Sequence, residues 1–350
     1  MAYRVIQWAT GSMGRTALRR IIDHPDLELA GLYVYDPRKS GRDAGEIARR
    51  PATGIRATTS IEEILALDAD VVIHAPRLSQ PYEKQNAEVV RLLASGKNVI
   101  STAGFHYPQA HGEDYAAPLR EACARGDSTL AGLGINPGFI GERLAVLMTG
   151  ICAQLESIAT YEVVDASFMP SPEFVFDTMG FGADPETQDV TRGPLAKLFA
   201  DLYIETFAFV ATALGTRLAR IVPDHRLTLA PGDLRVAAGT IRRGTVAATQ
   251  WCWHAEFADG RTMTHSLTWT AAPGLHGAQH DAHWRIEIKG RPSVKLAFSI
   301  HDPDPAAPVS RPAADATVAV AIRGIPDVCA APAGFFAYPP LAPFRETLAP

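Results

Sequence analysis

Short apolar runs alternate with amphipathic stretches along the first 150 residues, and their order predicts strands separated by helices. An apolar run from Tyr3 to Trp8 is followed by Ala9-Thr10-Gly11-Ser12-Met13-Gly14-Arg15, then by a helical pattern from Thr16 to Ile22. His24-Pro25-Asp26 leads into a second strand, Leu27 to Tyr35, that stops at Asp36. Ser60-Ile61-Glu62-Glu63 has the spacing of a capping box, and Asp70 to Ala75 reads as a buried strand ending at Pro76. A polar helix from Pro81 to Ser95, a strand from Asn98 to Ser101, a helix ending near Gly126 and a strand from Thr129 to Leu133 complete the alternation. Strands separated by helices predict a doubly wound, Rossmann-type parallel sheet, with ligands beyond the carboxyl ends of its strands.

Past about residue 155 the period changes to that of strands. Ile158 to Phe168, Leu234 to Phe257, Arg261 to Trp269, His283 to Ile288 and Val294 to Ile300 predict a second, α+β domain with a mostly antiparallel sheet, interrupted by one helix over Pro194 to Leu214. Asp302 to Pro312 reads as a Pro/Ala-rich crossing linker before a helix over Ala313 to Arg323. The expected domains are residues 1–140, completed by 308–350, for dinucleotide binding, and residues 141–307 for substrate binding and dimerisation.

The glycine turn carries the first chemical signal. A backbone without Cβ at Gly11 can approach a diphosphate, Gly14 lets helix and strand pack closely, and the helix start presents free N–H groups. Thr10, Gly11, Ser12, Met13, Gly14 and Arg15 are therefore candidate cofactor-binding residues, together with Ala75 and Pro76 at the end of a later strand. Ala9 stands where GxGxxG has its first glycine, and a plain βαβ unit with a tight turn is the alternative reading. Asp36 lies where a ribose hydroxyl is held in NAD sites, whereas Arg38, Lys39 and Arg42 suit the 2′-phosphate of NADP or form a solvated basic loop. The cofactor expectation is NADP or NAD.

Composition narrows the partners. The 350 residues suit about two domains, 47% hydrophobic content suffices for buried cores, and the net charge of −5 gives no basic field for nucleic acid or anionic lipid. No apolar run approaches the ~20 residues of a membrane span, and a strand beginning at residue 3 leaves no room for a signal peptide. Cys123, Cys152, Cys252 and Cys329 lie far apart without CxxC spacing and read as reduced thiols, so the expectation is a cytoplasmic protein with no metal site. His276, His280 and His283 with Asp281 fall in a predicted hairpin loop that reads as solvated, and His254 and His265 lie on neighbouring strands where they are expected to pair.

The loop Ser101-Thr102-Ala103-Gly104-Phe105-His106-Tyr107-Pro108 follows a sheet strand, so His106 and Tyr107 are candidate proton donors to a reacting heteroatom. Packing of the His106 ring under the loop, and a Tyr-Pro turn, are the structural alternatives. Asn136, in Gly134-Ile135-Asn136-Pro137-Gly138, is placed to meet a nicotinamide carboxamide or substrate, and Phe139 is expected to begin a helix. Phe168, Met169, Phe174, Phe176, Met179 and Phe181 make an aromatic segment that reads as an apolar pocket wall or as ordinary core.

These motifs carry a family resemblance. Residues 1–140 resemble the NAD(P)-binding domain of dihydrodipicolinate reductases, whose loop ends in Gly-x-Met-Gly-Arg, here Gly11, Met13, Gly14 and Arg15. The whole chain is similar to the branch containing 2,4-diaminopentanoate dehydrogenase and the native amine dehydrogenases. That likeness rests on Gln7-Trp8-Ala9-Thr10-Gly11, Gly41-Arg42-Asp43-Ala44-Gly45, Gly134 to Phe139, Met179-Gly180-Phe181-Gly182 and Ile325 to Pro332. It implies hydride transfer to a C=O or C=N bond, a homodimer, and a substrate pocket lined by Phe139, while Phe168, Phe176 and Met179 are the candidate substrate residues of the aromatic segment. The His-His-x-x-Lys substrate motif of dihydrodipicolinate reductases is absent, as is the glutamate expected in the loop after the fifth strand. Glu173 and Asp177 are the nearest substitutes on motif grounds. Reductive amination of a small hydrophobic ketone or aldehyde is the leading expectation. A carbonyl reductase or alcohol dehydrogenase that ignores ammonia, and a catalytically silent nucleotide-binding sensor, are the alternatives.

Overall fold

The computed structural model describes residues 2–280, 283–308 and 310–347 and divides the chain into two compact units, residues 1–139 with 310–339, and residues 140–309 with 340–350. The first unit is built on β1 (Tyr3–Trp8), β2 (Leu27–Tyr33), β3 (Ala57–Thr58), β4 (Val71–His74), β5 (Asn98–Ser101) and β6 (Thr129–Gly132). Its helices are α1 (Ser12–Asp23), α2 (Ala44–Ala48), α3 (Ile61–Leu65), α4 (Asn86–Ala94) and α5 (Glu113–Gly126). A further strand, Gly334–Phe336, has no clear sequence period. It pairs in parallel with β6, giving a seven-stranded sheet in the order Gly334–Phe336, β6, β5, β4, β1, β2, β3.

Both faces of this sheet are covered, which is why its strands read as unbroken apolar runs. Ile6, Trp8, Val72, Val99 and Leu130 face Val89, Leu92 and Leu93 of α4 and Leu119 and Ala122 of α5. Val5, Val71, Ile73, Ile100 and Ala131 face Ala17 and Ile21 of α1 and the returning helices Arg311–Arg323 and Ile325–Ala330. Ser60 caps α3 as its spacing predicts, its hydroxyl accepting from Glu63 N at 3.3 Å. The helix expected from Pro81 becomes α4 only at Asn86, after a 3₁₀ turn over Tyr82–Gln85.

The second unit holds α6 (Val146–Thr149), β7 (Gln154–Asp165), α7 (Pro194–Ala213), β8 (Leu218–Pro223), β9 (Arg226–Leu229), β10 (Leu234–Val236), β11 (Gly239–Ile241), β12 (Val246–Phe257), β13 (Thr262–Thr270), β14 (Trp284–Arg291) and β15 (Val294–Phe298). The single strand expected over Leu234 to Phe257 is thus three, because Gly239 and Gly244 adopt positive φ and turn the chain. The main sheet runs β15, β14, β7, β13, β12, β8, with β9 also on β12. Its strands are not all consecutive antiparallel neighbours: β7 enters between β13 and β14 and pairs parallel with β13. The segment joining β13 to β14, with a 3₁₀ turn over Pro273–His280, is long enough to step across the inserted strand. Among the described residues no helix is long and apolar enough to cross a membrane.

Candidate active site

At the end of β1 the chain makes the turn that the glycine pattern predicts. Ala9, in the place of the first glycine, adopts φ +72°, a left-handed backbone that costs a non-glycine residue roughly 1–2 kcal/mol. The buried Gln7 amide supports it, donating to Trp8 O at 3.0 Å and Ala9 O at 2.9 Å. A Cβ on Gly14 would lie 2.2 Å from Ala9 O, so helix and turn approach as only glycine permits. A Cβ on Gly11 would meet nothing within 4 Å, and no side chain caps α1. Open space above Gly11 with uncapped N–H groups behind it is a cradle that fits a diphosphate.

Asp36 does not stand free to receive a ribose hydroxyl. Its carboxylate caps the turn Pro37–Lys39, accepting from Arg38 N at 3.0 Å, and takes the Arg38 guanidinium at 3.0 Å through Nε and again through a terminal nitrogen. The hydrogen bond to Arg38 holds its pKa below the usual carboxylate range. Lys39 reaches the glycine turn, with Nζ 2.9 Å from Thr10 Oγ1 and 3.2 Å from Thr10 O. The cation therefore lies beside Thr10 at the edge of the turn, where it can meet a phosphate group.

Across the carboxyl edge of the sheet runs a polar chain that the sequence does not reveal. Trp8 Nε1 donates to Tyr35 Oη (2.8 Å), whose hydroxyl donates to Glu88 on α4 (2.6 Å). The same Glu88 oxygen lies 3.0 Å from Nε2 of the fully buried His74, whose Nδ1 is 3.0 Å from Ser101 Oγ. Ser101 Oγ in turn accepts from Ala103 N (3.1 Å). Tyr35's phenol is raised by burial first and by Glu88 second. This chain fixes the root of the loop after β5, while Ala75, donating to Trp8 O at 3.1 Å, ties the start of the Ala75-Pro76 segment to β1.

The loop itself lies over the end of β6. Gly104 and Phe105 take positive φ, and a Cβ on Gly132 would strike His106 N at 2.3 Å. A Cβ on Gly138 would sit 3.2 Å from His106 Cε1. Two glycines thus make room for His106, which is 5% exposed and whose Nδ1 has no hydrogen-bond partner. A buried imidazole nitrogen left without a protein partner points to a ligand group as its complement. Tyr107 and Asn136 are half-buried in the same unit, and Phe139 ends the turn 136–139 directly before a helical run, a π-helical segment over Ile140–Ala145 that continues into α6.

The second unit holds the other candidates. Asp177 is exposed on a single π-helical turn, Glu173–Thr178, and Phe168 is half-buried. Phe176 lines a cavity of about 380 Å³ with Phe181, Gln188, Thr240 and Arg242. Met179, at 1% exposure, belongs to this unit's core. Glu142, with no sequence signal, is buried with Oε1 2.6 Å from Thr206 Oγ1. His254 and His265 do not pair: Trp253 opposes His265 and His254 opposes Thr264, so the two imidazoles point to opposite faces. His276 bonds Thr270 and His283 accepts from Ile300 N, while Asp281 and the His280 side chain lie outside the described residues.

Known proteins match this chain in two stretches, the second of which also takes in residues 310–339 of the first unit. Residues 5–116 match the family model of the dihydrodipicolinate reductase N-terminus, and residues 139–344 match that of the 2,4-diaminopentanoate dehydrogenase C-terminal domain. An amine dehydrogenase of Streptomyces virginiae is 31% identical over 318 residues, 85% of each chain. A 2,4-diaminopentanoate dehydrogenase of Acetoanaerobium sticklandii is 28% identical over 184 residues, 51% of this chain and 50% of its own. The solved amine dehydrogenase from Mycobacterium smegmatis shares the fold with a TM-score of 0.74 at 17% identity, over 96% of this chain and 95% of that one.

Proposed function

This chain belongs to the family of 2,4-diaminopentanoate dehydrogenases and amine dehydrogenases and is an NAD(P)-dependent oxidoreductase, and on that premise we propose that it interconverts a small hydrophobic ketone or aldehyde plus ammonia with the corresponding amine. The observation that carries the site assignment is the buried His106 Nδ1 without a protein partner, in the loop laid over the end of β6. The bound nicotinamide supplies or accepts the hydride. Thr10 to Arg15 hold the diphosphate on the α1 N-terminus, and Arg38 and Lys39 favour the 2′-phosphate of NADP. Ala75, Pro76 and Asn136 position the nicotinamide end.

His106 exchanges a proton with the substrate heteroatom, and Tyr107 orients it. Phe139 in the first unit and Phe168 and Phe176 in the second are the proposed apolar substrate contacts, and Asp177 is the proposed carboxylate that offsets iminium charge. Incubation with NADPH, a ketone and ¹⁵N-ammonium tests this reading. The expected product is an amine carrying the label, and formation of unlabelled alcohol alone would contradict it. Reduction of the carbonyl without ammonia is the second reading, favoured by one feature: the loop 101–108 has an imidazole and no carboxylate.

A further inference from the structure

Strands β8 and β9 meet at Asp224 and His225, opposite the middle of β12, and the bend is sewn to that strand. Asp224 N donates to Cys252 O at 2.8 Å, and Cys252 N donates to His225 Nδ1 at 3.1 Å. Cys252 and His254, two residues apart on β12, project to the same face. Their donor atoms converge with the Asp224 carboxylate: His254 Nε2 lies 3.8 Å from Cys252 Sγ and 3.6 Å from Asp224 Oδ2, and the three donors all fall within 4.8 Å of one another.

From this geometry we propose that Asp224, Cys252 and His254 form a three-ligand site for a borderline-soft divalent transition ion of the zinc type. Donors around a tetrahedral zinc stand roughly 3.3–3.7 Å apart, given Zn–N and Zn–S bonds of about 2.0–2.3 Å, so the two contacts of His254 already have nearly that spacing and side-chain adjustments of at most about 1 Å bring in the third pair. A thiolate, an imidazole and one carboxylate select zinc, cobalt or a similar ion over magnesium or calcium. The imidazole is already oriented, because His254 Nδ1 lies 3.0 Å from Thr264 Oγ1, which leaves Nε2 for the ion.

Cys252 is 94% buried and His254 exposed, so the ion is held from the sheet side and its fourth position opens outward. Binding exchanges the thiol proton for the S–metal bond and releases that proton to solvent. Arg226, now 2.7 Å from Asp224 Oδ2, has a largely exposed side chain and can swing away when the ion takes that oxygen. The ion would pin the bend at which the edge of the sheet passes from β8 to β9.

Cobalt(II) titration of the full chain, without substrate or cofactor, tests the site independently of the dehydrogenase reading. The expected result is a thiolate-to-cobalt absorption in the near ultraviolet that saturates at one equivalent and is displaced by Zn²⁺. It should be lost in Cys252→Ser and weakened roughly 10- to 100-fold in Thr264→Val, which removes only the orienting partner. His254→Ala, at an exposed position, gives the same loss where Cys252→Ser fails to fold. Absence of the absorption in the wild-type chain, or its persistence in a folded Cys252→Ser or in His254→Ala, overturns the proposal.

Discussion

Alanine at either glycine of the 11–14 turn separates packing from cofactor binding, because the two positions face opposite surroundings. At Gly14 a Cβ stands 2.2 Å from Ala9 O and 2.8 Å from its carbonyl carbon, so the first turn of α1 must withdraw by more than 1 Å. That helix is keyed into the core by Ala17, Leu18 and Ile21, all fully buried. Overpacking of this kind costs about 1–3 kcal/mol, and Gly14→Ala is expected to lose that much stability in denaturant unfolding. At Gly11 the backbone, at φ −67°, accepts alanine and no protein atom lies near the new methyl. A poorer N-cap and a less flexible unfolded chain oppose each other there, so stability should stay within about 1 kcal/mol of wild type. The methyl does occupy the approach to the cradle, and a similar 1–3 kcal/mol lost from binding weakens NADPH affinity roughly 5- to 150-fold. Fluorescence titration with NADPH reads this directly. Wild-type affinity in Gly11→Ala, or wild-type stability in Gly14→Ala, would refute the reasoning.

Three further outcomes follow from named side chains. His106→Ala should lower kcat by roughly 10²–10⁴-fold with cofactor affinity little changed, and an unaltered rate removes it from the mechanism. Lys39→Gln should weaken NADPH binding by roughly 10- to 100-fold while leaving NADH nearly untouched, as loss of a charged hydrogen bond implies; equal losses for both cofactors would place Lys39 elsewhere. His265 is buried and pushed down to about 3 by desolvation, with Nδ1 2.8 Å from Thr160 Oγ1. Between pH ~6.5 and about 3 the unfolded chain therefore binds one more proton than the folded one, so this term is fully present above pH ~6.5 and stability falls as pH drops, by about 1.4 kcal/mol per unit. His265→Gln should reduce the loss between pH 7 and pH 5 by about 2 kcal/mol in denaturant midpoints, and an unchanged difference would contradict it.

How far the site was legible in the sequence depends on whether the cause was local. The turn at Ala9 to Gly14 and the Ser60 cap depend on neighbours in sequence, and both read correctly from it. The position of the 101–108 loop followed from strand alternation. Its conformation did not, because Gly132 and Gly138 make room for His106 from another part of the chain. Asp36 was legible as an acid at the right spacing, yet Arg38, two residues on, occupies it. The chain from Trp8 through Tyr35, Glu88 and His74 to Ser101 draws on four strands or strand ends and one helix, and Glu88 on α4 reads like any surface glutamate. In the second unit, insertion of β7 between β13 and β14 is a long-range pairing that alternation cannot express, and it makes the sheet mixed. Cys252 and His254 looked unremarkable until the β8–β9 bend brought Asp224 to them.

The most direct test of the central claim is oxidation of NADPH and NADH with a panel of small hydrophobic ketones and aldehydes, each with and without a large excess of ammonium. Consumption that requires ammonium is the predicted result; equal consumption in its absence would contradict amine formation and leave a carbonyl reductase.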